Sequence, residues 1–219
     1  MSMGPKQALY AEFASVARAL GSQHRLEMLE HLAQGEWCVE ALAERAGLSI
    51  ANASQHLQHL RRAGLAASRR DGKFVLYRLS GDDVLGLTAV LSGIAERNLA
   101  GVDRIRRAYF AERDSMEPVS REELLQRTRD DLVTVLDVRP FDEFAVSHLP
   151  GAVNIPLSEL EARLAELDVD REIVAYCRGP WCVLSFEAVA ALRAHGFKVR
   201  RLEDGLPEWR VAGLPVEHG

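Results

Sequence analysis

Ile173-Val-Ala-Tyr-Cys-Arg-Gly-Pro-Trp-Cys-Val183 is the stretch on which the reading of this chain turns. An unbroken apolar run stops at Cys177, a short segment holding Gly179 and Pro180 follows, and helical character begins at about Val183. Strand, tight loop and helix in that order turn successive backbone N–H groups inward at the positive end of the helix, where an anion is stabilised. A cysteine at the start of such a loop has its thiolate favoured, with a pKa below the free value of about 8.5. Cys177 is therefore a candidate nucleophile. The residues alone also allow Cys177 to be a buried strand end and Cys182 a gap filler, which is the commoner fate of an isolated thiol.

Outward from this stretch the pattern is α/β. Apolar runs at Leu132–Val138, Ile173–Tyr176 and Lys198–Leu202 alternate with helical segments at Ser120–Arg129, Phe141–Ser147, Leu157–Leu167 and Val183–His195, as a parallel sheet requires. Upstream, from Gln7 to about Phe110, leucine and alanine recur at helical spacing, with one alternating run at Phe74–Leu79. The charged segment around Pro118 separates the two textures. The expected organisation is a mainly α domain over 1–112, a linker over 113–118 and an α/β domain over 119–219.

Start and stop signals divide the first part into short helices: Lys6–Leu20 ending at Gly21, a second opened by Ser22 and running to Gly35, Val39–Ala46 ending at Gly47, and a fourth opened by Ser49 and ending near Ala63. Gly47 leaves only a tight turn between the third and fourth, the layout of a helix-turn-helix. On the fourth helix Ala53, Leu57 and Leu60 share the inward face, while Ala51, Asn52, Gln55, Gln58, His59 and Arg62 point away from it. Amides that can pair with adenine edges, beside His and Arg, suit a helix lying in a DNA groove. Asp71-Gly72 then signals a hairpin, and Arg69, Arg70 and Lys73 cluster at its tip, placed to neutralise phosphates. The candidate DNA-contacting residues are Asn52, Ser54, Gln55, Gln58, His59, Arg62, Arg69, Arg70 and Lys73. For any one of them, a solvated polar surface explains the residue equally well.

Composition sets the limits. The chain has 219 residues, 47% hydrophobic and 27% charged, enough apolar content for ordinary cores. Its net charge of −5 excludes a polycation that coats nucleic acid. The acid excess lies in the second half, and 61–78 stands out, carrying Arg61, Arg62, Arg69, Arg70, Lys73 and Arg78 against Asp71 alone. Three cysteines, Cys38, Cys177 and Cys182, cannot all pair within the chain, which fits a reducing cytoplasm. Neither an export leader nor a run long enough to span a bilayer is evident, so the expectation is a cytoplasmic protein without membrane contact.

The first part resembles the ArsR-type winged helix-turn-helix repressors. The match is carried by Ala19-Leu-Gly-Ser-Gln-His-Arg-Leu26, Leu42-Ala-Glu-Arg-Ala-Gly-Leu48, Ala53-Ser-Gln-His-Leu-Gln-His-Leu-Arg-Arg-Ala-Gly-Leu65 and the Arg70–Arg78 wing. The resemblance implies a homodimer joined through Lys6–Leu20 and Asp82–Phe110 that binds an inverted-repeat operator. Metal-sensing relatives often carry Cys-Val-Cys at the start of the third helix, where this chain has Trp37-Cys38-Val39-Glu40. One thiol does not make a soft-ion site, so neither a metal nor another cofactor is expected.

The second part resembles a single-domain rhodanese. Leu136-Asp-Val-Arg139 with Phe141-Asp-Glu-Phe144, His148-Leu-Pro-Gly-Ala-Val-Asn-Ile-Pro156, the cysteine loop and Leu202-Glu-Asp-Gly-Leu-Pro-Glu-Trp209 occur in the family's order. The resemblance implies that Cys177 takes sulfane sulfur from a donor such as thiosulfate and passes it to a thiol acceptor. It also implies that Arg178, Gly179, Pro180, Trp181, Cys182 and Val183 bind the substrate, with Arg178 drawing in an anionic donor. Asp137 and Arg139 order the site rather than react. Related phosphatases and arsenate reductases use a longer loop closed by an arginine, whose place Val183 holds here, so oxyanion chemistry is disfavoured.

Together the halves lead to the expectation of a repressor whose operator affinity answers to reactive sulfur, with Cys182 or Cys38 as redox partner of Cys177. The competing classes are a sulfurtransferase that the helix-turn-helix only localises or dimerises, and a metal- or metalloid-responsive repressor.

Overall fold

In the computed structural model, which describes residues 4–110 and 117–219, α1 spans Pro5–Leu20 and α2 Gln23–Gln34, with Gly21 and Ser22 turning the chain between them. The chain divides into two units, the boundary falling between Ala89 and Val90. Of the expected linker 113–118, residues 113–116 lie outside the described residues.

In the first unit α3 (Val39–Arg45) and α4 (Ile50–Arg62) are joined through Gly47 at φ +61°, a left-handed conformation that glycine adopts without a Cβ penalty. Ser49 caps α4 by accepting the Asn52 N–H at 3.3 Å, whereas Ser22 contributes no such side-chain bond to α2. Ala53, Leu57 and Leu60 are fully buried against Met28, Leu29, Leu42 and Tyr77. Strands β1 (Trp37–Cys38), β2 (Ala66–Asp71) and β3 (Phe74–Leu79) form an antiparallel sheet in the order β1-β3-β2. Asp71 pairs with Phe74 across the hairpin, with Gly72 at φ +58° in its turn. Two residues are too short to show a period, and β1 has no sequence signal of its own.

The expected single helix Asp82–Phe110 is interrupted. Helix α5 spans Asp83–Asn98, Leu99 is extended, and α6 (Ala100–Ile105) passes into a π-turn at Arg106–Phe110. At the break the Asn98 amide donates back to the Ile94 carbonyl at 2.8 Å, the side-chain competition with the backbone that makes asparagine a poor helix interior residue.

The second unit carries a parallel sheet in the order β5-β4-β6-β7, formed by β4 (Val133–Asp137), β5 (Val153–Asn154), β6 (Glu172–Tyr176) and β7 (Val199–Arg201). Helices α7 (Arg121–Arg129), α8 (Phe141–Val146), α9 (Val183–Ala194) and α10 (Leu206–Val211) complete it. Along β6 the pleat sends Ile173 and Ala175 to one core, with Cys177 following, and Val174 and Tyr176 to the other. A strand covered on both faces reads as continuous apolar sequence, which is how 173–177 reads. The helix expected over Leu157–Leu167 is replaced by two 3-10 turns, Leu157–Ala162 and Leu164–Glu166. Pro156 has no N–H to donate, and the Leu157 N–H goes to the Val138 carbonyl at 3.2 Å, tying the segment to a strand end. Among the described residues no helix is long and apolar enough to cross a membrane.

Candidate functional site

The C-terminal end of β6 delivers Cys177 to the start of a loop that closes at Cys182, the residue capping α9. The two sulfurs are joined as a disulfide, with Cα atoms 6.1 Å apart, inside the range such a bridge spans without backbone movement. Cys177 is 1% exposed and Cys182 5%. The expectation of a favoured thiolate at Cys177 thus meets a buried, oxidised sulfur. Not all of the expected amide cradle faces the sulfur either: the Cys182 N–H donates to the Gly179 carbonyl at 3.1 Å and closes the loop on itself. Pro180 and Trp181 are half-buried, and Val183 is exposed at the first turn of α9.

Arg178 is placed differently from the expectation of an arginine that attracts substrate. Its guanidinium donates to both oxygens of Glu143 on α8, Nη2 to Oε1 at 2.7 Å and Nε to Oε2 at 2.9 Å, and Glu143 is fully buried. Bidentate pairing satisfies the carboxylate and fixes the loop to α8. Asp137 and Arg139 form a second fully buried pair at the end of β4, Nη2 to Oδ2 at 2.6 Å, and Arg139 also donates to the Ser147 carbonyl at 2.8 Å. Tyr176 completes this network: its hydroxyl donates to Asp137 and accepts the Leu149 N–H at 3.0 Å. Burial, followed by the Asp137 charge, pushes the Tyr176 phenol well above its ordinary range, so it remains a neutral donor.

Gly205 supports the loop from behind. A Cβ there would overlap the backbone of Arg178 and Gly179, so only glycine lets the two segments approach. Beside it the Leu206 N–H donates to the Cys177 carbonyl at 3.3 Å, and Glu208 accepts the Gly205 N–H at 3.0 Å. Tyr176, Glu143 and Glu208 stand inside the quoted motifs, but none of them is among the expected site residues. Their roles come from strand register and from the return of 203–211 against the loop.

On α4, Asn52, Gln55, His59 and Arg62 are exposed on one face, as the helical projection requires. Ser54 and Gln58 are half-buried and bonded to each other, the Gln58 amide donating to the Ser54 hydroxyl at 3.4 Å. At the wing Arg70 and Lys73 are exposed, but Arg69 is paired with Glu36 at 2.7 Å and Asp71 at 3.1 Å, which offsets the charge expected to meet phosphate. Cys38 is half-buried at the start of α3. Among the described residues no three His, Cys, Asp or Glu side chains are grouped so as to hold a metal ion.

A winged helix-turn-helix unit followed by a parallel sheet bearing a strand-loop-helix cysteine defines a DNA-binding regulator joined to a rhodanese-like domain. The chain belongs to the helix-turn-helix transcriptional regulators of ArsR type that carry a C-terminal rhodanese domain. The rhodanese-like domain family matches residues 120–212, and a helix-turn-helix domain family matches 20–69. The HTH-type transcriptional regulator Rv0324 of Mycobacterium tuberculosis is 45% identical over 214 residues, 98% of this chain and 94% of that one. A sulfurtransferase of Allochromatium vinosum is 33% identical over 45% of this chain and 92% of its own. The solved homodimeric winged helix-turn-helix DNA-binding domain of Mb0332 from Mycobacterium bovis is 39% identical, covering 46% of this chain and 94% of that one, with a TM-score of 0.42.

Proposed function

We propose that this transcriptional regulator is a cytoplasmic, homodimeric repressor of an inverted-repeat operator, and that its rhodanese-like unit reports reactive sulfur through Cys177 and Cys182. The two tasks are assigned to 1–112 and 119–219, with the stretch from Val90 to Phe110 counted in the first although it belongs to the second compact unit. The observation that carries the reading is the bond between Cys177 and Cys182 across the loop. In the reduced protein the Cys177 thiolate attacks the outer sulfur of thiosulfate, sulfite departs, and Cys177 holds a persulfide. The Cys182 thiol then gives up its proton and attacks the inner sulfur, hydrosulfide departs, and the disulfide remains. An external thiol competes with Cys182 for the persulfide, which is the sulfurtransferase outcome. The reaction needs reduction first, because the oxidised loop offers no thiolate.

The test is mass spectrometry of reduced, thiosulfate-treated protein together with an operator gel shift at fixed salt. Wild type gives hydrosulfide and a disulfide, Cys182→Ser retains one added sulfur atom on Cys177, and Cys177→Ser gives neither. Sulfur loading changes operator affinity in wild type and leaves Cys177→Ser unmoved. The same product distribution from wild type and Cys182→Ser removes the resolving role of Cys182. Unchanged affinity after loading removes the sensing role.

A further inference from the structure

In the first unit, a groove of about 390 Å³ lies where the end of α1, the start of α2 and the end of α4 meet, and Ser15, Arg18, Arg25, His59 and Arg62 line it. No carboxylate is among its lining residues. Three guanidinium groups line one opening, and an anion that enters it is attracted by their charge. One of the three is already fixed in place: Arg25 donates through Nε to the Ala19 carbonyl and through Nη2 to the Arg18 carbonyl at 2.9 Å. Its charge therefore sits on the last carbonyls of α1, where a cation is favoured, and its position is set before any ligand arrives. Ser15 adds a hydroxyl.

Two histidines stand on two of the same helices. His24 and His56 face each other across α2 and α4 with ring centroids 5.7 Å apart. Burial, followed by the charges of Arg25, His24 and His59, holds His56 below the ordinary imidazole range. Glu27 lies 3.9 Å from His24.

We propose that this groove binds a phosphate of the DNA backbone, with Arg18 and Arg25 as phosphate contacts outside the helix-turn-helix itself. The assignment rests on the reading of the first unit as a DNA-binding module. It extends that reading along α4: Arg62 and His59 stand at the end of the exposed face that begins at Asn52, so a duplex following that face meets the groove next. A contact of this kind positions the protein on the duplex without selecting sequence.

Each neutralised phosphate contributes about 0.9 to the slope of log affinity against log salt. The experiment is fluorescence anisotropy with the full chain and a random-sequence duplex over a salt series, for wild type, Arg18→Ala and Arg18→Lys, with thermal midpoints recorded for all three. The expected result is a slope shallower by about 1.8 in Arg18→Ala, one phosphate at about 0.9 from each protomer of the proposed dimer, restored in Arg18→Lys, at equal thermal midpoints. An unchanged slope in Arg18→Ala, with wild type still binding, overturns the groove assignment and leaves the DNA-binding reading standing. A wild type that binds no duplex overturns both. In a second arm, inorganic phosphate and adenosine triphosphate are titrated against the thermal midpoint. Stabilisation that Arg18→Ala abolishes, with its salt slope unchanged, makes the groove a site for free phosphate compounds and overturns the assignment to DNA.

Discussion

Asp137 and Arg139 show how much of this site lies in single side chains. Both are fully buried, each satisfied by the other and by neighbours, so removing one leaves a desolvated charge without its partner. Asp137→Ala is expected to lower unfolding free energy by about 3–5 kcal/mol, measured by urea denaturation of the reduced protein, and to loosen the loop through the lost Tyr176 hydrogen bond. A loss no larger than that of an exposed substitution would show the pair to be dispensable. Asp137, Arg139 and Cys177 were legible in the sequence because they stand in motifs with a fixed order. Tyr176 was not, because its role depends on parallel register setting it opposite Asp137. Nor was the fate of Arg178: an arginine beside a cysteine reads as a substrate contact until a distant glutamate is folded onto it.

Helix α10 carries the clearest pH signature. Burial lifts the Glu208 carboxyl above its ordinary range, although the Gly205 N–H it accepts works in the opposite direction. A raised folded-state value means that Glu208 binds its proton more readily in the fold. Its stabilising contribution is therefore complete below the ordinary carboxylate value and is lost as pH rises through the raised one. Glu208→Gln is expected to flatten that loss, read as the difference between variant and wild-type urea midpoints over the same pH series. Glu123, held below its ordinary value by its hydrogen bond to Arg200, contributes with the opposite sign in both proteins and cancels in the difference. Parallel profiles would rule Glu208 out as the source. Elements with several turns were legible, such as α9 and the Ser49-capped α4. Those that departed from expectation did so at one residue: Asn98 ends α5 by bonding backward, and Pro156 with Leu157 diverts a helical pattern into 3-10 turns.

Among the exposed large apolar side chains, Leu9, Tyr10 and Phe13 gather on α1 and Leu87, Val90, Leu91 and Ile94 on α5. Scattered exposed leucines need no explanation, but contiguous helical faces of this kind mark association sites. Under the proposed dimer these faces close against a second copy. Val90→Asp is expected to shift the protein to monomer by sedimentation velocity and to weaken operator binding, since a monomer reaches only one half-site. A stable dimer in the variant would place the interface elsewhere. The two-part division was legible from the change in sequence texture, because helical spacing and alternating strand-helix units differ over long windows. Short β1 and β5 were not, since pairing partners alone define them.

The support behind the cysteine loop arrives late. Gly205 and Leu206, whose backbone closes on Arg178, Gly179 and Cys177, follow the reactive segment along the chain. Both thiols are therefore synthesised before the backbone that braces their loop. Until that later segment has been made and folded back, the dithiol lacks its clamp.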